Sequence, residues 1–258
     1  MLFGALLVAS AAAAFYFWWQ QHGEAAPPPP FALAPEKPAE PAPASAALVS
    51  EPKARFETEA APKPLPTLEN SDAMMRETVS GLVGRNAFEA MVYPSQLVRR
   101  IVATVDNLPR ETAPRRVMPL EPVPGRFATM GADAELAVAA ANAARYAPFV
   151  RVFESLDTRA LVQRYIDSYP LFQRAYAELG YPNRSFNRRL AEAIDDLLAA
   201  PELSAPPRLV QPKVYYEFAD AELESLSAGQ KIMIRMGSEN AAKVKAKLRE
   251  IRRELARR

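Results

Sequence analysis

Apolar residues follow three different patterns along the chain, and each pattern predicts a different kind of structure. Residues 1–19, from Met1 to Trp19, form an apolar run without a charged residue or a proline, and residues 21–64 are rich in proline and show no apolar period. After residue 64 apolar residues recur at spacings of three and four, the period of an amphipathic helix. The chain is therefore predicted to be mainly α: a transmembrane anchor over residues 1–20, a disordered Pro/Ala-rich linker over 21–64, and a compact all-helical domain over 65–258 with little or no sheet.

The first apolar run has the length and the end of a membrane-spanning helix. Nineteen helical residues reach roughly 28 Å, close to the thickness of a bilayer's hydrocarbon core. Five aromatic residues at positions 15–19 close the run, where an interfacial aromatic belt is expected. The rival interpretation is a cleaved signal peptide, since Ala-Ser-Ala occurs at residues 9–11. Cleavage there leaves a very short apolar region, so we favour the anchor.

The prolines of residues 21–64 predict a semi-rigid, polyproline-like tether. Each proline fixes φ and removes a backbone donor, so neither a helix nor a sheet runs through them. At ~3.1 Å per residue the extended segment spans on the order of 100 Å. A spacer across an envelope and a linker without a length requirement both fit this pattern.

The periodic part of the chain predicts several helices joined by proline-containing breaks. An irregular segment is expected at 109–131, and residues 214–218 alone have the composition of a strand. Gly180, Tyr181 and Pro182 match a Schellman helix stop. The predicted helices cover 71–92, divided into two pieces by Gly81 and Gly84, 97–108, 133–156 with a break near Pro148, 158–179 with a kink or restart at Pro170, 186–198, 229–236 and 238–255.

Composition excludes several kinds of chemistry. The chain has no cysteine and one histidine, His22, which excludes thiol catalysis, a histidine triad within the domain and cysteine–histidine zinc sites. It contains no glycine-rich phosphate loop, and its formal charge of +2 gives no reason to expect nucleic acid. Asp195 with Asp196, and Glu222 with Glu224, fit solvated helix faces. We therefore predict no catalytic residue, no cofactor and no metal site.

Tyrosine and arginine alternate densely between residues 145 and 186. Such side chains together supply contact area, hydrogen bonds and cation–π contacts, so they form good recognition surfaces. The helical spacing equally fits a core whose hydroxyl groups find polar partners. The candidate interaction surface consists of Arg145, Tyr146, Arg164, Tyr165, Tyr169, Arg174, Tyr176, Tyr181, Arg184 and Phe186.

The last predicted helix is basic and carries an apolar seam. Lys245, Arg249 and Arg252 extend the candidate surface, because a basic helix attracts an anionic polymer, lipid headgroups or an acidic protein. The seam recurs with heptad spacing and suits packing on the domain or on a second copy in a homo-oligomer. It consists of Val244, Leu248, Ile251 and Leu255.

Six stretches of the chain resemble the proteobacterial domain-of-unknown-function family 3014. The resemblance implies an N-terminal membrane segment followed by a variable linker, but no reaction, cofactor or catalytic residue. The stretches are LPTLENSD at residues 65–72, RRIVATVDNLP at 99–109, YIDSYPLFQRAYAELGYP at 165–182, FNRRL at 186–190, QPKV at 211–214 and GQKIMIRMGSENA at 229–241.

These observations lead to a functional hypothesis without an assigned reaction. The chain is expected to cross a bacterial inner membrane once, with the domain in the periplasm, because a short N-terminal tail followed by a large domain usually leaves the tail in the cytoplasm. The domain is expected to be a non-enzymatic binding or scaffolding module for an envelope protein or polymer. An envelope enzyme acting on glycan or lipid through unidentified carboxylates, and a structural homo-oligomer, are the alternatives.

Overall fold

The structure is a computed structural model that describes residues 64–258, and in this part the chain is mainly helical as predicted. The predicted anchor and nearly all of the predicted linker lie outside the described residues. The helices are α1 (Asp72–Val83), α2 (Arg85–Met91), α3 (Leu97–Asn107), α4 (Ala141–Ser155), α5 (Thr158–Asp167), α6 (Tyr169–Glu178), α7 (Phe186–Leu198), α8 (Ala221–Glu224), α9 (Ala228–Arg235) and α10 (Ser238–Leu255).

Four two-residue strands form two antiparallel pairs. Strands β1 (Thr129–Met130) and β2 (Ala137–Val138) make one pair, while β3 (Leu209–Val210) and β4 (Glu217–Phe218) make the other. Leu209 lies opposite Phe218 in the second pair. The strand-like composition of residues 214–218 therefore yields only a small hairpin, which agrees with the prediction of little sheet.

Glycine and proline set some of the helix ends but not all of those predicted. Gly84, at φ 86°, separates α1 from α2, so the predicted division into two pieces is confirmed, whereas Gly81 lies within α1 and makes no break. The predicted break near Pro148 is wrong, because Pro148 lies inside α4. Packing of α4 against α10 outweighs the loss of one backbone hydrogen bond. Helix α4 starts at Ala141, and the predicted start at Asp133 fails because that residue has φ 46°.

The restart at Pro170 and the stop at Gly180 are both confirmed. Helix α5 ends at Asp167, and Pro170 occupies the first turn of α6, where its missing N–H costs nothing. Gly180 has φ 112°, and its N–H donates to the Ala177 carbonyl at 3.1 Å. The Tyr181 N–H donates to the Tyr176 carbonyl at 3.3 Å, which completes the Schellman pair.

The first residue of α1 caps the first turn of α3. The carboxylate of Asp72 accepts the backbone N–H of Gln96 at 2.8 Å and that of Leu97 at 3.0 Å. These amides lie at a helix N-terminus, where no intrahelical partner exists and a negative charge is favoured. Asp72 therefore fixes α1 against α3 through a contact that spans 24 residues of sequence.

Two of the hydrophobic clusters lie side by side between the helices. The first cluster joins α1, α2, α3, α6 and α7, with Leu97 and Phe186 among its most buried members. The second cluster joins α5, α7 and α10 through Val162, Ile194 and Leu248. Because α7 contributes to both clusters, the two cores share one wall.

Candidate functional site

Three members of the candidate interaction surface are buried and cannot contact a partner. Tyr176 and Phe186 belong to the first hydrophobic cluster, and Lys245 is buried on α10. Their inclusion in a surface is wrong, and the alternative interpretation as core applies to them. The rings of Tyr176 and Phe186 lie on the inward faces of α6 and α7. A high local density of aromatic residues does not distinguish an inward face from an exposed one, so it predicted a surface here.

Arg145 serves the fold rather than an exposed surface. Its guanidinium donates to the carbonyl oxygens of Pro124 and Gly125 at 2.9 and 2.8 Å, and to Asn142 Oδ1 at 2.9 Å. The guanidinium therefore holds the irregular segment onto α4. Tyr146, the next residue, is half-buried against a small cluster around Met233.

Tyr165 and Tyr169 are half-buried at the edge of the aromatic core. The Tyr165 ring lies 5.5 Å from the Phe172 ring and 5.9 Å from the Tyr169 ring, and its hydroxyl donates to Asn187 Oδ1 at 3.3 Å. Burial, with a smaller contribution from Tyr169, raises the pKa of Tyr165 far above the usual value of 10. The phenol therefore stays protonated and acts as a hydrogen-bond donor.

Most arginines of the candidate surface that remain exposed are accompanied by acids or rings. Arg174 lies 3.4 Å from Glu178, and the Arg184 guanidinium stands 5.6 Å from the Tyr181 ring centroid. Each such surface ion pair contributes little, about 0–1 kcal/mol. Arg164 lies 3.8 Å from Asp167, Arg252 lies 2.7 Å from Asp195, and Arg249 is exposed on α10.

A buried ionic cluster links α3 to α7 and was missed by the sequence reasoning. Asp106 is buried, and its carboxylate accepts from Arg110 Nη2 at 2.7 Å and from Arg189 Nε at 3.1 Å. Arg110 also donates to the Tyr181 hydroxyl at 2.6 Å. Burial opposes the charge of Arg110, but Tyr181 and Asp106 raise its pKa overall. The spacing of four from Val102 could have placed Asp106 on the buried face of α3.

Two lysines of α10 cap the ends of other helices. Lys245 Nζ donates to the Ala200 carbonyl at 2.7 Å, just beyond α7, and to Glu202 at 3.1 Å. Lys247 Nζ donates to the Leu156 carbonyl at 3.0 Å, just beyond α4. A cation at a helix C-terminus satisfies an unpaired carbonyl and matches the helix dipole. These two charges therefore act within the domain.

The apolar seam of α10 packs on its own domain. Leu248 and Ile251 are buried in the second hydrophobic cluster, with Val244 and Leu255 packed partly against it. This is one of the two arrangements that the heptad spacing allowed. A homo-oligomer through these residues stays a prediction.

An apolar pocket of about 340 Å³ opens where the two hydrophobic clusters meet. Its walls come chiefly from α1, α3, α5, α7 and α10, and they present no polar surface. Val79 and Ile101 stand on the side of the first cluster, and Leu190 and Leu248 on the side of the second. Among the described residues that line it, Arg164 is the only charged one.

A second pocket of about 270 Å³ lies beside the start of α4 and the junction of α9 with α10. Asn142 lines it, but the side chain of Asn142 is already occupied by the backbone of Ala128 and by Arg145. The amide of Asn142 is therefore used by the fold, and we take the apolar pocket as the candidate site.

Within residues 64–258 no three histidine, cysteine, aspartate or glutamate side chains are grouped in a way that could hold a metal ion. In the same part of the chain no helix has both the length and the apolar character to cross a bilayer.

The stretches that carry the resemblance include α3, α6 and the start of α7, which meet at the Asp106 cluster. A model of the family described as Protein of unknown function (DUF3014) matches residues 97–252, more than half of the 258 residues. The chain belongs to the DUF3014 family. The DUF3014 match runs from the first residue of α3 into α10, so it covers most of the pocket wall but not α1. No curated protein and no solved structure matched the chain.

Proposed function

We propose that the chain is a non-enzymatic binding module, anchored in a bacterial inner membrane, whose apolar pocket receives the hydrocarbon chain of an amphipathic anion. In this proposal residues 1–19 span the membrane, the proline-rich linker tethers the domain to it, and the domain lies in the periplasm. The pocket between the two hydrophobic clusters is the observation that carries the ligand-binding part of the proposal.

The size of the pocket suits a medium-length hydrocarbon chain. Ligand pockets usually occupy ~300–1,000 Å³, and the volume of about 340 Å³ lies within that range. An apolar cavity of ~150 Å³ holds one benzene ring, so in proportion this pocket accommodates roughly a dozen carbon atoms. A wall that exposes no polar surface to the pocket offers nothing to a sugar or a peptide backbone, but it matches an alkyl chain.

The pocket is open to solvent, so it does not carry the energetic cost of a sealed void. A sealed, empty cavity of this volume would cost on the order of 8 kcal/mol, at ~24 cal/mol per Å³. That cost is comparable to the entire ~5–15 kcal/mol stability of a typical domain. An accessible pocket that a ligand fills avoids the cost, and binding then stabilises the folded state.

Arg164 gives the ligand a charge preference. It is the charged residue of the pocket lining, its side chain is 62% exposed, and it is 3.8 Å from its nearest acid, Asp167. A guanidinium at the edge of an apolar pocket pairs with a carboxylate or phosphate while the alkyl chain lies inside. Free fatty acids and lipid phosphates share this chemistry.

The pocket is tested with a fluorescent fatty acid, dansyl-undecanoic acid, titrated into the full chain. V79F adds a ring to the pocket wall and should weaken binding about tenfold or more, whereas V83F, one turn further along α1 and outside the pocket lining, should change binding less than about twofold. Binding that survives V79F unchanged would overturn the proposal.

The charge preference is tested with matched arginine variants. R164Q should weaken binding of the acid about two- to fivefold and leave binding of its methyl ester unchanged. R174Q is the control, because its side chain is 61% exposed and also lies one helical turn from an acid, but it does not line the pocket. Mass spectrometry of lipids extracted with the purified chain then separates fatty acids from phospholipids as the source of the ligand.

The topology is tested separately, with a cysteine on the exposed face of α7. Because the chain has no cysteine, A191C gives a single labelling site. A membrane-impermeant maleimide should label it in intact spheroplasts. Labelling only after lysis would place the domain in the cytoplasm and refute the orientation.

A further inference from the structure

The tip of the β3–β4 hairpin projects two large apolar side chains into solvent. Val214 is 77% exposed and Tyr215 is 81% exposed, while the other large hydrophobic residues that stand out on the described surface reach at most 52%. An exposed apolar tip of this kind marks a contact site rather than a part of the core.

The base of the hairpin is firmly fixed, so the tip is held outward. Leu209 and Phe218 lie opposite each other in the strand pair and are buried. Tyr216, directly after the tip, packs its ring 5.8 Å from that of Phe127. Within the loop, Gln211 Nε2 donates to the Val214 carbonyl at 3.2 Å. The exposed residues therefore belong to a structured turn.

The turn between the two strands carries a single charge, which is basic. Residues 211–216 include Lys213 and no acidic residue, and Glu217 follows in β4. Lys213 is exposed and adjoins Val214 in the sequence, while Arg208, before the turn, is bound to the Ala134 carbonyl. Valine buries in acyl chains, tyrosine prefers the headgroup level, and lysine extends toward anionic headgroups.

We propose that residues 213–215 form a lipid-contact site that dips into the interface of an anionic bilayer. A protein partner is less well matched, because stable protein interfaces bury ~800 Å² per partner and three residues at a turn supply far less. A bilayer needs no complementary shape. The contact rests on the proposed membrane anchoring, since a tether raises the effective concentration of the domain at the surface and makes a weak contact effective.

The test places an environment-sensitive fluorophore on Y215C in the full chain, reconstituted in nanodiscs of phosphatidylethanolamine and phosphatidylglycerol. The expected result is a blue shift of the emission and a loss of intensity when the lipids carry a doxyl quencher. A191C, exposed on α7, should show neither change. Adding V214D to Y215C should abolish both effects, and K213Q or omission of phosphatidylglycerol should reduce them.

Three outcomes would overturn the lipid contact, and they are distinguishable. If the chain travels with the nanodiscs but doxyl lipid does not quench Y215C, the lipid contact fails while the anchor stands. If the label is protected from aqueous iodide but not quenched by doxyl lipid, another copy of the chain covers the tip. If the chain does not associate with nanodiscs at all, both the anchor and the lipid contact are wrong.

Discussion

Removing the carboxylate of Asp106 should destabilise the domain more than removing any exposed acid. In D106A the Arg189 guanidinium, whose side chain is only 18% exposed, loses its buried counter-charge. Arg189 keeps a contact to Glu192 at 3.1 Å and one to the carbonyl of residue 106. Arg110 is nearly half exposed and can turn toward water.

The magnitude follows from these exposures. Breaking a buried ion pair by removing one partner costs ~3–5 kcal/mol, and the lower end applies because Arg189 retains other acceptors. The half-exposed Arg110 adds only ~0–1 kcal/mol. We therefore expect a loss of about 3 kcal/mol, which lowers the Tm of a domain of this size by about 6–12 °C.

The control is D195A, which removes an equally short but exposed ion pair. Arg252 contacts Asp195 in a two-pronged arrangement at 2.7 and 2.8 Å, but both side chains are about half exposed. Its loss should cost no more than about 1 kcal/mol. Far-UV circular dichroism follows unfolding by heat and by urea, because both tryptophans, at positions 18 and 19, lie outside the domain. Equal destabilisation by D106A and D195A would refute the reasoning that burial, rather than distance, decides the effect.

Three further substitutions test other contacts by the same unfolding measurements. K245M should cost about 1–2 kcal/mol because a buried helix-end carbonyl loses its charged donor. K243M, which removes a surface ion pair with a glutamate one turn away, should leave the stability nearly unchanged. G229A should destabilise, since a methyl group there would meet a leucine methyl at 2.7 Å and a backbone carbonyl oxygen at 3.1 Å; a variant as stable as the parent would show that α9 shifts freely. Burial opposes the charge of Glu224, but a backbone amide and Lys231 hold its pKa below the usual 4.5, so the folded chain releases this proton more readily than the unfolded chain. E224Q should therefore lower the free energy of unfolding at pH 7. The difference in this free energy between E224Q and the parent should shrink as the pH falls below 4.5.

Local signals in the sequence predicted helix ends where one residue determines the backbone. Gly180 supplies the positive φ of the Schellman stop, and Pro170 is favoured in the first turn of a helix, so both positions were predictable. Gly81 and Pro148 are different, because each is merely unfavourable in a helix and tertiary packing overrides the local preference.

The candidate site was less predictable than the helices. Periodicity identified the apolar faces that form the two clusters, but it carries no information on how well those faces fill the space between them. The pocket is a property of packing between helices distant in sequence. In the same way, the sequence pattern places Lys245 on a basic helix. It does not show that its ammonium group donates a hydrogen bond to a carbonyl just beyond α7.

Because Asp72 caps α3, the folded domain has to begin earlier in the chain than the segment that the family model matches. The family match begins at Leu97, and the amide of Leu97 is one of the two that Asp72 accepts. A fragment that begins at Leu97 lacks Asp72, which caps the first turn of α3. It also lacks the residues of α1 that line the pocket. The autonomous cooperative unit therefore starts no later than Asp72, and a protease digest of the folded chain should leave α1 attached to the rest.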